Sequence, residues 1–316
     1  MPRFLLVAAS ALSLTTFSLL AVVAAPRALL AQAGAPKHAE ARNRVGTARP
    51  TDTLSVAMRD GSTFMGRVIA VRGDTAEMTT SVGTVRFALQ DVTRANIVRA
   101  ADIVNGEYWF PNPNTTRLLF APTGRMIKKG EGYFSDYMLF FPGVAGGITD
   151  RITIGGGMSI FPGLDFDEQI FYVTPKVGII AREKLNVAVG VLAARTGLGD
   201  DDEFGDGGSN TFGIPYVVST FGGPNKSVTT GIGYGYANGK LADNPALMFG
   251  GDVRLSRRFG LVSENYVFPD AFDGALLSIG ARFFGEKMAG DFGLVIPAGG
   301  GDSVVIPYLG LVVNFR

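Results

Sequence analysis

From Gly132 onward the chain repeats one pattern, segments of 9 to 14 residues in which every second side chain is apolar. Asn186–Ala194 places Val187, Val189, Val191 and Ala193 on one face and Ala188, Gly190, Leu192 and Ala194 on the other. Arg151–Ile160 sets Ile152, Ile154, Met158 and Ile160 against Arg151, Thr153, Gly155, Gly157 and Ser159. Ile279, Ala281 and Phe283 oppose Ser278, Gly280 and Arg282, and Leu309, Leu311, Val313 and Phe315 oppose Tyr308, Gly310, Val312 and Asn314. A period of two marks strands whose faces meet two different environments. The second face of a soluble sandwich is rich in Lys, Glu and Thr; here it is mostly Gly, Ser, Thr and Ala. Small residues suit the narrow interior of a closed sheet, with the apolar face turned to lipid. The segments also have the roughly 9–11 tilted residues that cross a bilayer.

Composition agrees where it bears on this. Of 43 glycines, 35 fall in residues 130–316, together with 17 of the 23 Phe. Glycine fits the crowded inner face and the tight turns, and Phe fits the outer face. Strands are expected near 132–144, 149–160, 169–181, 184–196, 211–221, 226–238, 245–257, 258–268, 273–285, 286–297 and 303–315. A further strand at Arg117–Ala121 completes an even number. The expected fold is all-β: a transmembrane antiparallel β-barrel over 132–316 with about 12 strands, or 10 where a short segment is a loop. The turns Thr149-Asp150, Arg182–Lys184, Arg257-Arg258 and Gly285–Lys287 are short, whereas Gly197–Asn210, Ala237–Asn244 and Pro269–Gly274 are longer. Short turns at one end and long loops at the other fit the periplasmic and extracellular sides of an outer membrane. Tyr133, Phe134, Phe171, Tyr172, Tyr266 and Phe268 lie near strand ends and are expected in interfacial girdles. Pro142, Pro175, Pro215 and Pro307 are expected at strand starts or bulges.

The N-terminal third reads differently. Residues 1–33 carry an apolar stretch from Phe4 to Leu30 with no acidic residue, then Ala31-Gln32-Ala33, which is a secretory signal peptide. Residues 34–50 read as a polar linker holding His38, the only histidine of the chain. Five short alternating runs between 51 and 98, punctuated by Asp60-Gly61, Gly73-Asp74 and Val82-Gly83, predict a small β domain. Its pattern, "LSVAMRDGSTFMGRVIAVRGDTAEMTTSVGTVRFALQDVTRANI", resembles Sm-like and other SH3-like β modules, in which a bent second strand carries a glycine such as Gly66. That resemblance implies an SH3-like domain. An exported chain does not meet cellular RNA, and only Phe64 and Phe87 offer stacking surfaces, so the domain is expected to be a periplasmic protein-interaction or cell-wall-facing module, or a structural plug or cap, and not a nucleic-acid binder. Residues 99–131 are expected to connect this domain to the barrel.

Two further stretches carry resemblances. Asn112–Gly157, "NPNTTRLLFAPTGRMIKKGEGYFSDYMLFFPGVAGGITDRITIGGG", is similar to an uncharacterised, Bacteroidetes-like family of bacterial outer-membrane β-barrel proteins. These carry Asn-Pro-Asn-x-Thr-Arg ahead of Lys-Lys-Gly-Glu-Gly-Tyr. Phe315-Arg316 resembles the C-terminal signature that outer-membrane assembly machinery reads, except that the aromatic is penultimate. The partners implied are outer-membrane lipid and that machinery.

Charge is balanced, 29 basic against 28 acidic residues, so no net field favours nucleic acid or an acidic substrate. The chain has no Cys, which excludes disulfides and thiolate chemistry. With His38 in a linker, a histidine acid/base cannot be assembled, and no enzyme activity is expected. Ile154-Gly155-Gly156-Gly157 lacks the Lys-Ser/Thr of a phosphate loop, and no cofactor is expected. Asp200, Asp201, Asp202, Glu203 and Asp206 form an acidic loop whose carboxylates suit a hard cation, although the Asp-x-Asp-x-Asp-Gly spacing of a calcium loop is missing. Asp252, Arg254, Glu264 and Arg282 fall on the inner face, either as a salt-bridge network filling the lumen or as a constriction that selects solutes. The function these features imply is a structural or small-solute pore role in the outer membrane. A second reading is a membrane-tethered binding protein working through residues 51–98, and a third is a soluble periplasmic β-sandwich.

Overall fold

A computed structural model describes residues 35–99, 102–196, 210–269, 274–298 and 305–315. The signal peptide expected over residues 1–33 lies outside them. The chain divides into two units, meeting at Phe110 and Pro111.

The N-terminal unit begins with helix α1 (Ala35–Gly46) and continues through β1 (Thr53–Met58), β2 (Thr63–Arg72), β3 (Thr75–Thr80), β4 (Gly83–Ala88) and β5 (Val92–Ile97). These strands form one antiparallel sheet in the order β4-β3-β2-β1-β5. The helix corrects the linker expected over 34–50. Ala41 and Val45, four residues apart, share a face and are buried with Leu54, Val56, Met78 and Phe87. His38 is therefore on a helix. Gly66 is obligatory in β2, since a Cβ there would lie 2.0 Å from the Thr79 carbonyl oxygen. The register of β2 against β3 shifts just beyond it, between Val68 and Ala70. A two-residue hairpin, β6 (Ile103–Val104) and β7 (Glu107–Tyr108), turns on Asn105 and Gly106, both at positive φ.

The second unit is a closed antiparallel barrel of twelve strands. Its wall runs through β8 (Gly132–Tyr137), β9 (Phe141–Thr149), β10 (Ile152–Met158), β11 (Ile170–Val173) with β12 (Lys176–Ala181), and β13 (Leu185–Thr196). It continues through β14 (Asn210–Gly223), β15 (Lys226–Gly233), a small hairpin of β16 (Tyr236–Ala237) and β17 (Lys240–Leu241), and β18 (Ala246–Arg254). The last strands are β19 (Phe259–Phe268), β20 (Gly274–Phe284), β21 (Met288–Ala298) and β22 (Ile306–Phe315). Closure comes from β22 pairing with β8, Phe315 opposite Gly132 and Gly310 opposite Tyr137. Strands β11 and β12 make one wall strand interrupted at Thr174-Pro175, which absorbs the missing proline donor. Pro142, Pro215 and Pro307 lie within β9, β14 and β22.

The strand count matches expectation, but its composition does not. Arg117–Ala121 is no wall strand; its one ladder contact is an isolated bridge from Arg117 to Pro122. The twelfth strand arises because the segment expected at 132–144 folds back at Met138 and Leu139, both at positive φ. The alternation has its physical counterpart. Outward positions such as Ile154, Val189, Val228, Phe249, Phe283 and Phe315 are exposed and apolar, and inward ones such as Thr153, Ala188, Thr229 and Ser278 are buried. Tyr133, Tyr172, Tyr266 and Phe268 share the inward alternation instead of joining an outer girdle. Tyr172, for example, occupies the space over inward Gly143 and Gly157.

Candidate functional site: a hairpin seated in the barrel lumen

The first segment of the barrel unit, Asn112 to Glu131, runs inside the barrel. It enters at the short-turn end, where the Asn112 side-chain amide donates to the Pro224 carbonyl (2.7 Å) and Asn314 donates to that of Pro113 (2.9 Å). It reverses at Leu118–Ala121, closed by Leu118 N–H to Ala121 O (2.8 Å) and Thr123 N–H to Thr116 O (2.9 Å). It leaves past Ile127, whose amide donates to Thr153 Oγ1 (3.2 Å), and Lys129, whose amide donates to Asp150 (3.0 Å). The wall makes room with missing side chains. A Cβ on Gly250 would sit 2.7 Å from Leu118 Cδ1, one on Gly178 2.8 Å from Met126 Cγ, and one on Gly147 2.3 Å from the Lys128 carbonyl oxygen. The hairpin answers with Gly124, where a Cβ would meet the Asn186 carbonyl oxygen at 2.2 Å.

Glu264 anchors the tip. Its carboxylate, buried on β19, accepts the backbone N–H of Leu119 (2.8 Å), Phe120 (3.0 Å) and Ala121 (2.9 Å) on Oε2, and the Tyr266 hydroxyl (2.7 Å) on Oε1. Three consecutive amides converging on one anion make a backbone nest. They also satisfy the donors that a buried turn otherwise leaves unpaired. The Tyr308 hydroxyl donates to the Leu119 carbonyl (2.9 Å), and Phe120 packs edge-on against the Tyr308 ring, centroids 4.7 Å apart.

Cations hold the flanks. Arg282 pairs bidentately with Asp291, Nε to Oδ1 at 2.6 Å and Nη2 to Oδ2 at 2.9 Å, and the same guanidinium donates to the carbonyls of Leu118 (2.7 Å) and Asn114 (3.3 Å). Both partners are buried. Arg117 donates to the Leu119 carbonyl (2.8 Å), with its guanidinium 4.4 Å from the Tyr137 ring centroid. Lys176 donates to the carbonyls of Thr123 (3.0 Å) and Arg125 (2.7 Å), and Arg125 reaches those of Gly222 (3.0 Å) and Gly223 (2.7 Å).

The four expected inner-face charges all point into the lumen, but they do not pair with one another. Asp252 accepts the Ser227 hydroxyl (2.5 Å), and Arg254 donates to the Arg257 carbonyl (2.6 Å) and lies over the Phe284 ring. Glu264 and Arg282 bind the hairpin. Arg282 and Asp291 form a buried ion pair in the lumen. Asp291 was missed; its signal was a lone carboxylate within the apolar run Met288–Ala298, and Arg117 and Lys176 gave no signal beyond lone cations in apolar surroundings. The acidic loop of Asp200, Asp201, Asp202, Glu203 and Asp206 lies outside the described residues. Among the described residues no three metal-ligating side chains converge.

No protein-family model matches the chain. No curated protein does either. Its solved neighbours are barrels. The chain is similar to the KdgM porin in complex with disordered oligogalacturonate, at 6% identity and TM-score 0.41 over 59% of this chain and 98% of that one. The NanC porin gives 9% identity and TM-score 0.38 over the same shares, 59% and 98%. A loop L8 deletion mutant of OmpT, an outer membrane protein of Vibrio cholerae, gives 12% identity and TM-score 0.34 over 84% and 96%.

Proposed function

We propose that this chain is a bacterial outer-membrane anchor: a barrel stoppered by its own hairpin, whose task is to tether residues 35–110 to the outer membrane. The observation that carries the reading is the grip of Glu264 on the amides of Leu119, Phe120 and Ala121. A segment that merely passed through a pore has no need of a buried carboxylate satisfied by its backbone. A barrel that conducts solutes keeps a wet interior, whereas here Leu118, Leu119 and Ala121 pack on Ala188, Val218, Met248 and Val262.

In this reading residues 1–33 direct export, the outward apolar band meets outer-membrane lipid, and the assembly machinery inserts the barrel. The working part is the N-terminal unit, an SH3-like domain over 51–98 that binds a periplasmic protein. The test is a planar-bilayer recording beside a retention assay. Expected results are no steady conductance from the full chain and conductance once residues 114–127 are replaced by Gly/Ser of equal length. Retention of a periplasmic protein should be lost when residues 51–98 are deleted. A full chain that conducts as well as the replaced one overturns the reading.

A further inference from the structure

The half of the lumen on the long-loop side of the hairpin is unlike the half that the hairpin fills. Leu192, Ile214, Met248 and Phe268 all sit in the halves of their strands that lead to the long loops, and all face inward. With Phe120 at the hairpin tip they line a pocket of about 140 Å³ that is open on one side, where Leu192 and Phe120 are exposed. The space exists because β15 contributes only Gly231 and Gly233 to its inner face at this level, with Ala246 opposite Gly233 on β18. The hydroxyl of Tyr266, which also borders it, is already committed to Glu264 at 2.7 Å. A barrel interior is ordinarily polar, so a cavity walled by aliphatic and aromatic groups departs from what the fold requires.

Size and lining together choose the ligand. An enclosed cavity of about 150 Å³ lined by Leu, Ile and Phe takes up benzene, and the apolar walls of this open pocket offer a ligand of that size the same contacts on its covered sides. Drug-sized ligands need roughly 300 Å³ or more. We infer that this cavity is a binding site for a small apolar molecule or group of about the size of a benzene ring, held against Phe120 at the hairpin tip. The inference goes beyond the anchoring role and does not rest on it.

The test uses the full chain in lipid nanodiscs, with toluene as probe and glycerol at the same concentration as control. The readout is the temperature at which the compact, heat-modifiable band is lost. A ligand that binds only the folded state raises that temperature. The expected result is a rise with toluene and none with glycerol, abolished in Ala246→Phe, whose ring fills the cavity. An equal rise in wild type and Ala246→Phe, or no rise in either, overturns the inference. Where Ala246→Phe gives no compact band, Phe120→Ala decides. It enlarges the cavity, so naphthalene should bind it at least threefold more tightly than wild type, and equal binding overturns the inference.

Discussion

The two units invert each other. In residues 35–110 the most deeply buried side chains are Leu54, Val56, Met78 and Val45, the usual contents of a water-soluble core. In the barrel, Arg282 and Glu264 are as deeply buried, and Val228, Phe249 and Phe315 are exposed. One chain thus holds its first unit by apolar burial, and adds buried hydrogen bonds and an ion pair to the apolar packing inside its second. The difference teaches where each unit is vulnerable: losing methyl groups in the first, leaving a charge without its partner in the second.

Arg282→Ala is the largest expected disturbance. It strands Asp291 in the barrel interior and takes a donor from the carbonyls of Asn114 and Leu118. Breaking one partner of a buried pair costs about 3–5 kcal/mol. Urea unfolding of the inserted barrel, followed by gel mobility, should report a loss of that order, mostly recovered in Arg282→Met with Asp291→Leu. A loss below about 1 kcal/mol would break the comparison. Leu54→Ala should cost about 2–5 kcal/mol through the cavity it leaves. That loss should fall on the first unit alone: faster proteolysis within 35–110, with the heat-modifiable barrel band unchanged. Glu264→Gln is milder. It keeps an acceptor for the tip amides but trades charged hydrogen bonds of about 1.5–3 kcal/mol for neutral ones of about 0.5–1.5 kcal/mol. Brief openings in bilayer recordings are the expected sign, and an unchanged flat trace would mean that the charge does not secure the hairpin.

What could be read from the sequence follows the same division. The barrel alternation was legible because lipid and lumen demand different chemistry at every second position, and so the faces of Asn186–Ala194 and Ser278–Phe284 match the observed pairing. The hairpin was not. Leu118-Leu119-Phe120-Ala121 is a short apolar run, and periodicity cannot tell a lipid-facing strand from a segment packed inside a barrel. The turn at Met138-Leu139 carries neither Gly nor Asn, so nothing announced its positive φ. Helix α1 was hidden by a polar, Pro-flanked composition, although Ala41 and Val45 held its helical spacing. The site was half visible: Glu264 and Arg282 could be assigned to the inner face, but, Tyr266 and Asp291 apart, their partners are backbone groups of a segment far off in sequence.

The smallest expected effect belongs to the surface of the first unit. The Ser62 hydroxyl and amide both donate to Asp60 (2.7 and 2.9 Å) and hold its carboxyl below the ordinary value of 3.8. A carboxyl lowered by folding contributes stability that is present above its unfolded value and is lost as pH falls through the folded one. Protection of the Ser62 amide, taken relative to its intrinsic exchange rate at each pH, should therefore fall only under acid, and in Asp60→Asn that dependence should vanish.

Whether the hairpin stoppers the barrel can be read from a single cysteine. Because the chain contains no Cys, Leu119→Cys is uniquely addressable, and Leu119 is wholly buried at the hairpin tip. A water-soluble maleimide should leave Leu119→Cys unlabelled in the inserted, heat-modifiable barrel and label it fully after heat unfolding. Labelling of the inserted barrel at the rate of the unfolded chain contradicts the stopper.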